Sequence, residues 1–158
     1  MLAGSLLIVN GCAKKGPKGD PGPQGNANVI GSAPFTVYST GWTLANGLYS
    51  ASFSDPDITP TIVDRGVVEI FKSYGTNEWT NLPDIDPNGI TSTVFDFYDN
   101  GFTIYVQNSD GSTPNPGTQI FRTVIISPSQ KQAHPHTNWK NYNEAIAALN
   151  SKPVTVTQ

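Results

Sequence analysis

The segment Val94-Phe-Asp-Phe-Tyr-Asp-Asn100-Gly101-Phe-Thr-Ile-Tyr-Val-Gln107 alternates apolar and polar residues on both sides of an Asn-Gly step. Asn-Gly is the strongest short hairpin signal, because a type I′ turn needs positive φ at both central residues. We therefore predict an antiparallel hairpin in which Asp99 lies opposite Phe102. One face then carries Phe95, Phe97, Phe102, Ile104 and Val106, and the other carries Asp96, Tyr98, Thr103, Tyr105 and Gln107. This separation is typical of a sheet that is buried on one side.

A second hairpin is predicted in Trp42-Thr-Leu-Ala-Asn46-Gly47-Leu-Tyr-Ser-Ala-Ser-Phe53, again around Asn-Gly. Pairing Ala45 with Leu48 places the apolar residues on one face: Trp42, Leu44, Tyr49, Ala51 and Phe53. Thr43, Ser50 and Ser52 take the other face. Because two separate turns both give a one-sided apolar pattern, we expect a layered all-β core.

Further strands are predicted at residues 34–39, 67–73, 78–82 and 118–126, with a shorter one near Thr61–Val63. Seven or eight short strands with regular turns indicate an all-β fold, an antiparallel β-sandwich. We expect residues 110–117 to form a rigid loop between the last two strands.

The period changes near the C-terminus, where Trp139, Tyr142, Ile146 and Leu149 recur at helical spacing. We predict one C-terminal helix at about 138–150, capped by Thr137 or Asn138 and packed on the sandwich. A partner-binding helix is the alternative.

The N-terminal segment has a different character. An apolar run, residues 1–11, ends at Cys12, which is the only cysteine and so cannot form an internal disulfide. An aliphatic residue three positions before the cysteine and a glycine just before it are typical of a bacterial lipobox. We therefore expect residues 1–11 to be a signal peptide and Cys12 to be the lipid-attachment site. The run lacks the basic residues of a complete leader, so a truncated leader or an upstream start is expected.

Glycine recurs at positions 16, 19, 22 and 25 with prolines between, which is the collagen pattern. Four triplets are few for a stable triple helix, so we interpret residues 12–27 as the lipidated cysteine followed by an extended polyproline II spacer. Twelve such residues span roughly 37 Å. A trimeric stalk is the alternative. The predicted organisation continues with a sandwich at 28–130 and a connector, helix and tail at 131–158.

Composition and charge limit the function. Only 37% of residues are apolar and 13% are charged, and turn-forming residues are frequent, which favours an extracytoplasmic β domain. Residues 28–127 hold ten acidic and three basic residues, a net charge of −7. Nucleic-acid binding is not expected of such a domain, because neutralising phosphates requires clustered Lys and Arg. Residues 13–27 hold Lys14, Lys15 and Lys18 against Asp20, and this basic segment suits an anionic membrane surface.

Motifs for chemistry are sparse. The close acidic pairs Asp55/Asp57 and Asp84/Asp86 are candidate Ca²⁺ ligands, because loop oxygens suit that ion, although such residues are also common in turns. Tyr98 and Tyr105 are candidate ligand-binding residues, with cross-strand support of the sheet as the alternative. His134 and His136 have a metal-like spacing but lie in a Pro-containing connector. No residues are predicted to be catalytic.

The order of these features resembles a known family. The lipobox-like Cys12, the Gly-x-y triplets, the junction Gly25-Asn-Ala-Asn-Val29, the late strands from Tyr105 to Ile126 and Lys140-Asn141-Tyr142 are together similar to the collagen-like repeat lipoproteins of Bacteroidetes-type bacteria. The resemblance implies a cell-envelope lipoprotein with a C-terminal β domain and lipid at Cys12. It implies no biochemical activity.

We therefore expect a non-enzymatic lipoprotein, lipid-anchored at the bacterial outer membrane or cell surface. Its β-sandwich is expected to contribute to surface structure or to bind a protein or glycan, without a cofactor. The alternatives are a Ca²⁺-dependent adhesion or carbohydrate-binding module and, after it, a small hydrolase.

Overall fold

The computed structural model describes residues 30–31, 33–112 and 114–150, which form a β-sandwich with short helices. The ten strands are β1 (Ile30–Gly31), β2 (Phe35–Val37), β3 (Thr43–Ala45), β4 (Leu48–Ser54), β5 (Val67–Gly75), β6 (Glu78–Asn81), β7 (Asp84–Ile85), β8 (Thr91–Tyr98), β9 (Gly101–Asn108) and β10 (Gln119–Ile126). The three α-helices are α1 (Pro60–Arg65), α2 (Pro128–Ala133) and α3 (Tyr142–Asn150). The predicted all-β class and sandwich are confirmed.

Two antiparallel sheets face each other. The first sheet has the order β1-β10-β5-β6, with β2 also paired to β10, and the second has the order β3-β4-β9-β8-β7. The inward side chains of both sheets form one core, in which aromatic rings pack closely: Phe35, Trp42, Phe53, Phe102 and Phe121. Alternation along each strand therefore produces the core, as the hairpin patterns predict.

Helix α3 forms a third layer on the outer face of the first sheet. Its side packs on buried Phe71, Val124 and Ile126, and the residues of the predicted stripe join this cluster: Trp139, Tyr142, Ile146 and Leu149. The predicted packing of the C-terminal helix on the sandwich is thus confirmed, but the predicted start of this helix is wrong. The Asn141 carboxamide oxygen accepts from the backbone N–H groups of Asn143 and Glu144, so the helix begins at Tyr142 rather than near 138.

The first hairpin has the predicted register. Ala45 lies opposite Leu48, and the turn residues Asn46 and Gly47 have φ values of 51° and 76°. Two details differ from the expectation. Trp42 is buried but precedes β3, and Leu44 is 53% exposed because β3 is an edge strand.

The second hairpin differs from its predicted register by two residues. Tyr98 lies opposite Gly101 and Phe97 opposite Phe102, so the turn residues are Asp99 and Asn100. A shift by an even number leaves every side chain on its predicted face, which is why the inward set remains correct. Asn100, not Gly101, has the positive φ, at 65°.

Two helices occur where none was predicted, and the strand expected near Thr61–Val63 is wrong. These residues belong to α1, where Pro60 follows the N-cap Thr59, whose hydroxyl accepts from the Ile62 N–H at 3.4 Å. In α2, Pro128 follows the N-cap Ser127 in the same way. Proline suits the first helical position because that N–H has no partner within the helix.

Candidate functional site

A cleft of about 240 Å³ opens between the two sheets. We call it the inter-sheet cleft. Val106 and Phe121 contribute apolar lining, and the polar lining includes Lys72, Thr93, Asn108 and Gln119. A small cavity with a few converging polar groups is the usual form of a ligand site.

The loop before β10 supplies one wall of this cleft through Asn115 and Pro116. Two long-range hydrogen bonds hold the loop. The Trp42 indole N–H donates to the Gly117 carbonyl at 2.8 Å, and the Asn115 amide donates to the Ser39 carbonyl at 2.9 Å. The wall is therefore part of the folded scaffold.

Lys72 is the unusual residue of the inter-sheet cleft. It lies on the inner face of β5 and is 8% exposed. Its ammonium lies 3.5 Å from the Thr93 hydroxyl and 4.7 Å from the centre of the Tyr74 ring. Among the described residues, no carboxylate forms an ion pair with it.

The charges around Lys72 come from Asp84 in β7 and from Asp86 just after that strand. Burial lowers the pKa of Lys72, and the negative charges of Asp84 and Asp86 offset this effect only in part. The Tyr74 hydroxyl donates to Asp84, and burial together with this bond raises the pKa of Tyr74. The amide groups of Thr91 and Ile90 donate to Asp86 and lower its pKa.

Replacing Lys72 with methionine is expected to stabilise the protein by about 1–2 kcal/mol at pH 7, because it removes a desolvated charge and keeps the packing. A lysine with a lowered folded pKa binds fewer protons in the folded state than in the unfolded state, in the window between its folded pKa and the usual value of 10.5. Stability should therefore rise with pH in that range. Urea unfolding from pH 7 to 9.5 is expected to show this rise in the wild type and a smaller rise in Lys72→Met. Both proteins keep Tyr74, so the difference between them measures the contribution of Lys72.

Lys131→Met is the matched control, because Lys131 is exposed on α2. It should change neither stability nor the pH dependence by more than about 0.5 kcal/mol. A Lys72→Met variant that is less stable than the wild type would show that the ammonium is held by favourable contacts.

A second concave site lies between β6 and the start of α3, with a volume of about 480 Å³. We call it the asparagine groove. Five asparagines line it: Asn77, Asn81, Asn138, Asn141 and Asn143. Trp79, Thr80, Lys140 and Tyr142 complete the lining. The residues come from two distant parts of the chain, which α3 brings together by packing on the first sheet.

Hydrogen bonds within the protein hold several side chains on the polar side of the groove. The Asn81 amide donates to the Glu69 carboxylate at 2.8 Å, and Glu69 is buried in the sheet. Burial raises the pKa of Glu69, while the Asn81 bond and the Lys140 charge act in the opposite direction. The carboxamide oxygens of Asn138 and Asn141 accept from backbone N–H groups. The side chains of Asn81, Asn138 and Asn141 are therefore held by hydrogen bonds within the protein.

The aromatic side of the groove is a stack of three residues. The Arg122 guanidinium lies 4.6 Å from the Trp79 ring and 5.3 Å from the Tyr142 ring, and it also donates to the Tyr142 hydroxyl. The stack joins β6, β10 and α3, so it holds the aromatic wall in place.

Tyr98 and Tyr105 lie on the predicted outer face of the second sheet, apart from both cavities. The Tyr105 hydroxyl donates to Asp96 at 2.9 Å, and the Tyr98 hydroxyl is 3.5 Å from the Thr103 hydroxyl. These cross-strand contacts support the alternative role of the two tyrosines, which is to stabilise the sheet. A ligand-binding role for the two tyrosines stays a prediction.

The acidic pairs have other contacts. Asp55 accepts from the Asp57 N–H at 3.1 Å in a local turn, and burial raises the pKa of Asp55. Asp84 and Asp86 belong to the surroundings of Lys72. Within residues 33–112 and 114–150, no three His, Cys, Asp or Glu side chains are grouped as metal ligands would be. Calcium binding at these four residues stays a prediction.

The remaining candidates are simpler to place. The His134 ring lies 6.3 Å from the Trp139 ring at the end of α2, and His136 is exposed. Cys12 and the collagen-like segment lie outside the described residues. The described part of the chain has no helix that is long and apolar enough to cross a membrane.

Sequence reasoning missed the inter-sheet cleft and the asparagine groove. For Lys72 a signal existed, because Val68, Ile70 and Lys72 alternate onto one face of a predicted strand and so place a charge towards the core. For the asparagine groove no signal existed, because its two halves lie about sixty residues apart.

Comparisons with protein-family models, with curated proteins and with solved structures found no match to this chain.

Proposed function

We propose that this chain is a non-enzymatic bacterial envelope lipoprotein whose β-sandwich binds a neutral glycan through the asparagine groove. The observation that carries the proposal is the lining of the groove, in which five carboxamides face a cavity of about 480 Å³ beside Trp79 and Tyr142. The lipid anchor at Cys12 and the position at the outer membrane or cell surface belong to the same proposal.

The chemistry of the lining suits sugars. A carboxamide carries both a donor and an acceptor, so it can bind the adjacent hydroxyl groups of a sugar ring. Aromatic side chains such as Trp79 and Tyr142 offer apolar surface beside these polar groups, which is the combination that fixes a ligand in place. Lys140 adds a donor.

Charge favours a neutral ligand over a polyanion. Residues 28–127 have a net charge of −7, which repels acidic polymers over the whole domain. Around the groove, the positive charges of Lys140 and Arg122 are matched by two carboxylates: Glu69, on which Lys140 acts, and Glu144, which accepts from the Asn138 N–H. No excess positive charge is therefore available for an anion. An extended spacer belongs to the same proposal, because twelve residues in the polyproline II conformation would span roughly 37 Å and carry the domain away from the lipid headgroups.

Asn143→Ala tests the groove. Asn143 is exposed at the start of α3, and alanine preserves the helix, so folding should be unchanged. Losing its hydrogen bonds is expected to weaken glycan binding at least about tenfold. The measurement is titration calorimetry with a neutral oligosaccharide selected on a glycan array with the wild-type protein.

Gln132→Ala on α2 is the matched control, because this exposed amide lies outside the groove, and it should bind like the wild type. Equal affinity for Asn143→Ala, or a wild type that binds no neutral glycan, would reject the groove. Affinity that requires Ca²⁺ would favour the calcium-dependent alternative.

In cells, Cys12→Ala should leave the affinity unchanged and move the protein from the membrane fraction to the soluble fraction.

A further inference from the structure

The glycan proposal does not use Lys72. Lys72 lines the inter-sheet cleft although it is only 8% exposed. The ammonium lies 3.5 Å from the Thr93 hydroxyl, and no described carboxylate forms an ion pair with it. A buried cation without a paired anion lowers the stability of the fold, because its desolvation is not repaid. A lysine at this position is therefore better explained by a chemical function than by packing.

We propose that Lys72 is a nucleophilic lysine that condenses reversibly with a small neutral aldehyde or ketone in the inter-sheet cleft. The ammonium first releases one of its three protons to solvent, and the neutral amine nitrogen attacks the carbonyl carbon to give a carbinolamine. A C=N bond then replaces the C–O bond of the carbinolamine, and the oxygen leaves as water with the two protons that had remained on the nitrogen. The product is an imine, and no oxidant or reductant is required.

The cleft favours a neutral carbonyl compound. Asp84 and Asp86 are the acidic groups that act on Lys72, and Tyr74 stays a neutral phenol at ordinary pH. Two carboxylates against one ammonium repel an anionic ligand such as a keto acid. The volume of about 240 Å³ lies below the roughly 300–1,000 Å³ of sites for drug-sized ligands. It therefore suits a short carbonyl compound with its chain against Val106 and Phe121.

The surroundings also suit the reaction. The Thr93 hydroxyl, 3.5 Å from Nζ, is placed to hydrogen-bond the carbinolamine oxygen. Burial lowers the pKa of Lys72, so a larger share of this amine is neutral and nucleophilic than at an exposed lysine. The site binds covalently and reversibly, so it is separate from glycan binding and needs no turnover.

Reductive trapping tests this inference. The full chain is incubated at pH 7 with glycolaldehyde and cyanoborohydride, which converts an imine into a stable amine, and the labelled lysines are identified by peptide mass mapping. Lys72 is expected to react at least about tenfold faster than the exposed Lys131 and Lys140. Labelling of Lys72 should also level off at a lower pH than that of the other two lysines.

Three variants complete the test. Lys131→Arg should leave the labelling of Lys72 unchanged. Thr93→Leu fills the cleft but keeps the amine, and it should slow labelling of Lys72 while Lys131 and Lys140 react as before. Lys72→Arg keeps the positive charge and should remove the fast phase. Labelling of Lys72 at or below the rate of the exposed lysines overturns the proposal, since it would show an ordinary or inaccessible amine.

Discussion

Phe121→Ala is expected to lower the free energy of unfolding by about 3–5 kcal/mol, the range for truncating a large aromatic residue in a core. Phe121 is 0% exposed. Its ring stacks on Phe35 at 5.9 Å and meets the edge of Trp42 at 6.4 Å. Alanine would leave a cavity between the sheets that these large rings cannot fill without moving their strands.

The neighbouring residue provides the control. Ile120 lies in the same strand with the opposite orientation and is 41% exposed, so Ile120→Ala should cost less than about 1 kcal/mol. Urea unfolding of both variants measures the difference. Similar losses would mean that strand β10 is held by its hydrogen bonds rather than by the core, and that the sandwich core is wrongly placed.

The face of each strand was predictable because side-chain alternation depends only on parity. Phe95, Phe97 and Phe102 point inwards in the structure although their predicted partners were shifted by two residues. The same reasoning holds for the C-terminal helix, whose apolar residues recur at helical spacing. Tyr142 and Ile146 pack on the first sheet as expected. Local patterns that repeat over several residues thus survive errors in the turns.

Features that depend on one residue or on distant segments were not predictable in the same way. The start of α3 shifted because Asn141, rather than Thr137 or Asn138, caps it, and several polar residues in that connector are suitable caps. The asparagine groove exists only because α3 packs beside β6. Its Trp79–Arg122–Tyr142 wall joins three elements that no local pattern connects.

Gly101, which follows the Asp99–Asn100 turn, is another case, because this glycine has a different role from the one that the Asn-Gly pattern suggests. Gly101 lies in β9 opposite Ser54 of β4, and its φ is not positive. The turn is tied to the loop after β4, since the Asp55 N–H donates to the Asn100 carbonyl and the Asn100 N–H donates to the Ile58 carbonyl. A Cβ at position 101 would lie 2.5 Å from the Phe53 carbonyl oxygen and 2.9 Å from the Tyr98 ring. The glycine is needed for close approach of the two strands.

Gly101→Ala is therefore expected to cost about 2–3 kcal/mol, in the upper part of the range for overpacking, because β4 and β9 must separate around a backbone oxygen. The Tyr98 ring can rotate away, but the Phe53 carbonyl is held within the sheet. Thermal and urea unfolding of the variant measure the loss, and amide exchange should show the weakening to be greatest at the turn end of these strands.

Two other glycines separate the effect of space from that of backbone conformation. At Gly75 a Cβ would be 3.5 Å from the nearest atom, an ordinary contact, so Gly75→Ala should be nearly neutral. At Gly47 a Cβ meets nothing within 4 Å, but φ is +76°, so Gly47→Ala should cost about 1–2 kcal/mol through conformation alone. If Gly101→Ala unfolds like Gly75→Ala, the strands have room at this point and the close approach is wrong. If it matches Gly47→Ala and exchange changes only within the turn, the residue serves the turn, as the Asn-Gly pattern first suggested. The contact with Phe53 predicts a larger loss of unfolding free energy, together with faster amide exchange in the paired strands β4 and β9.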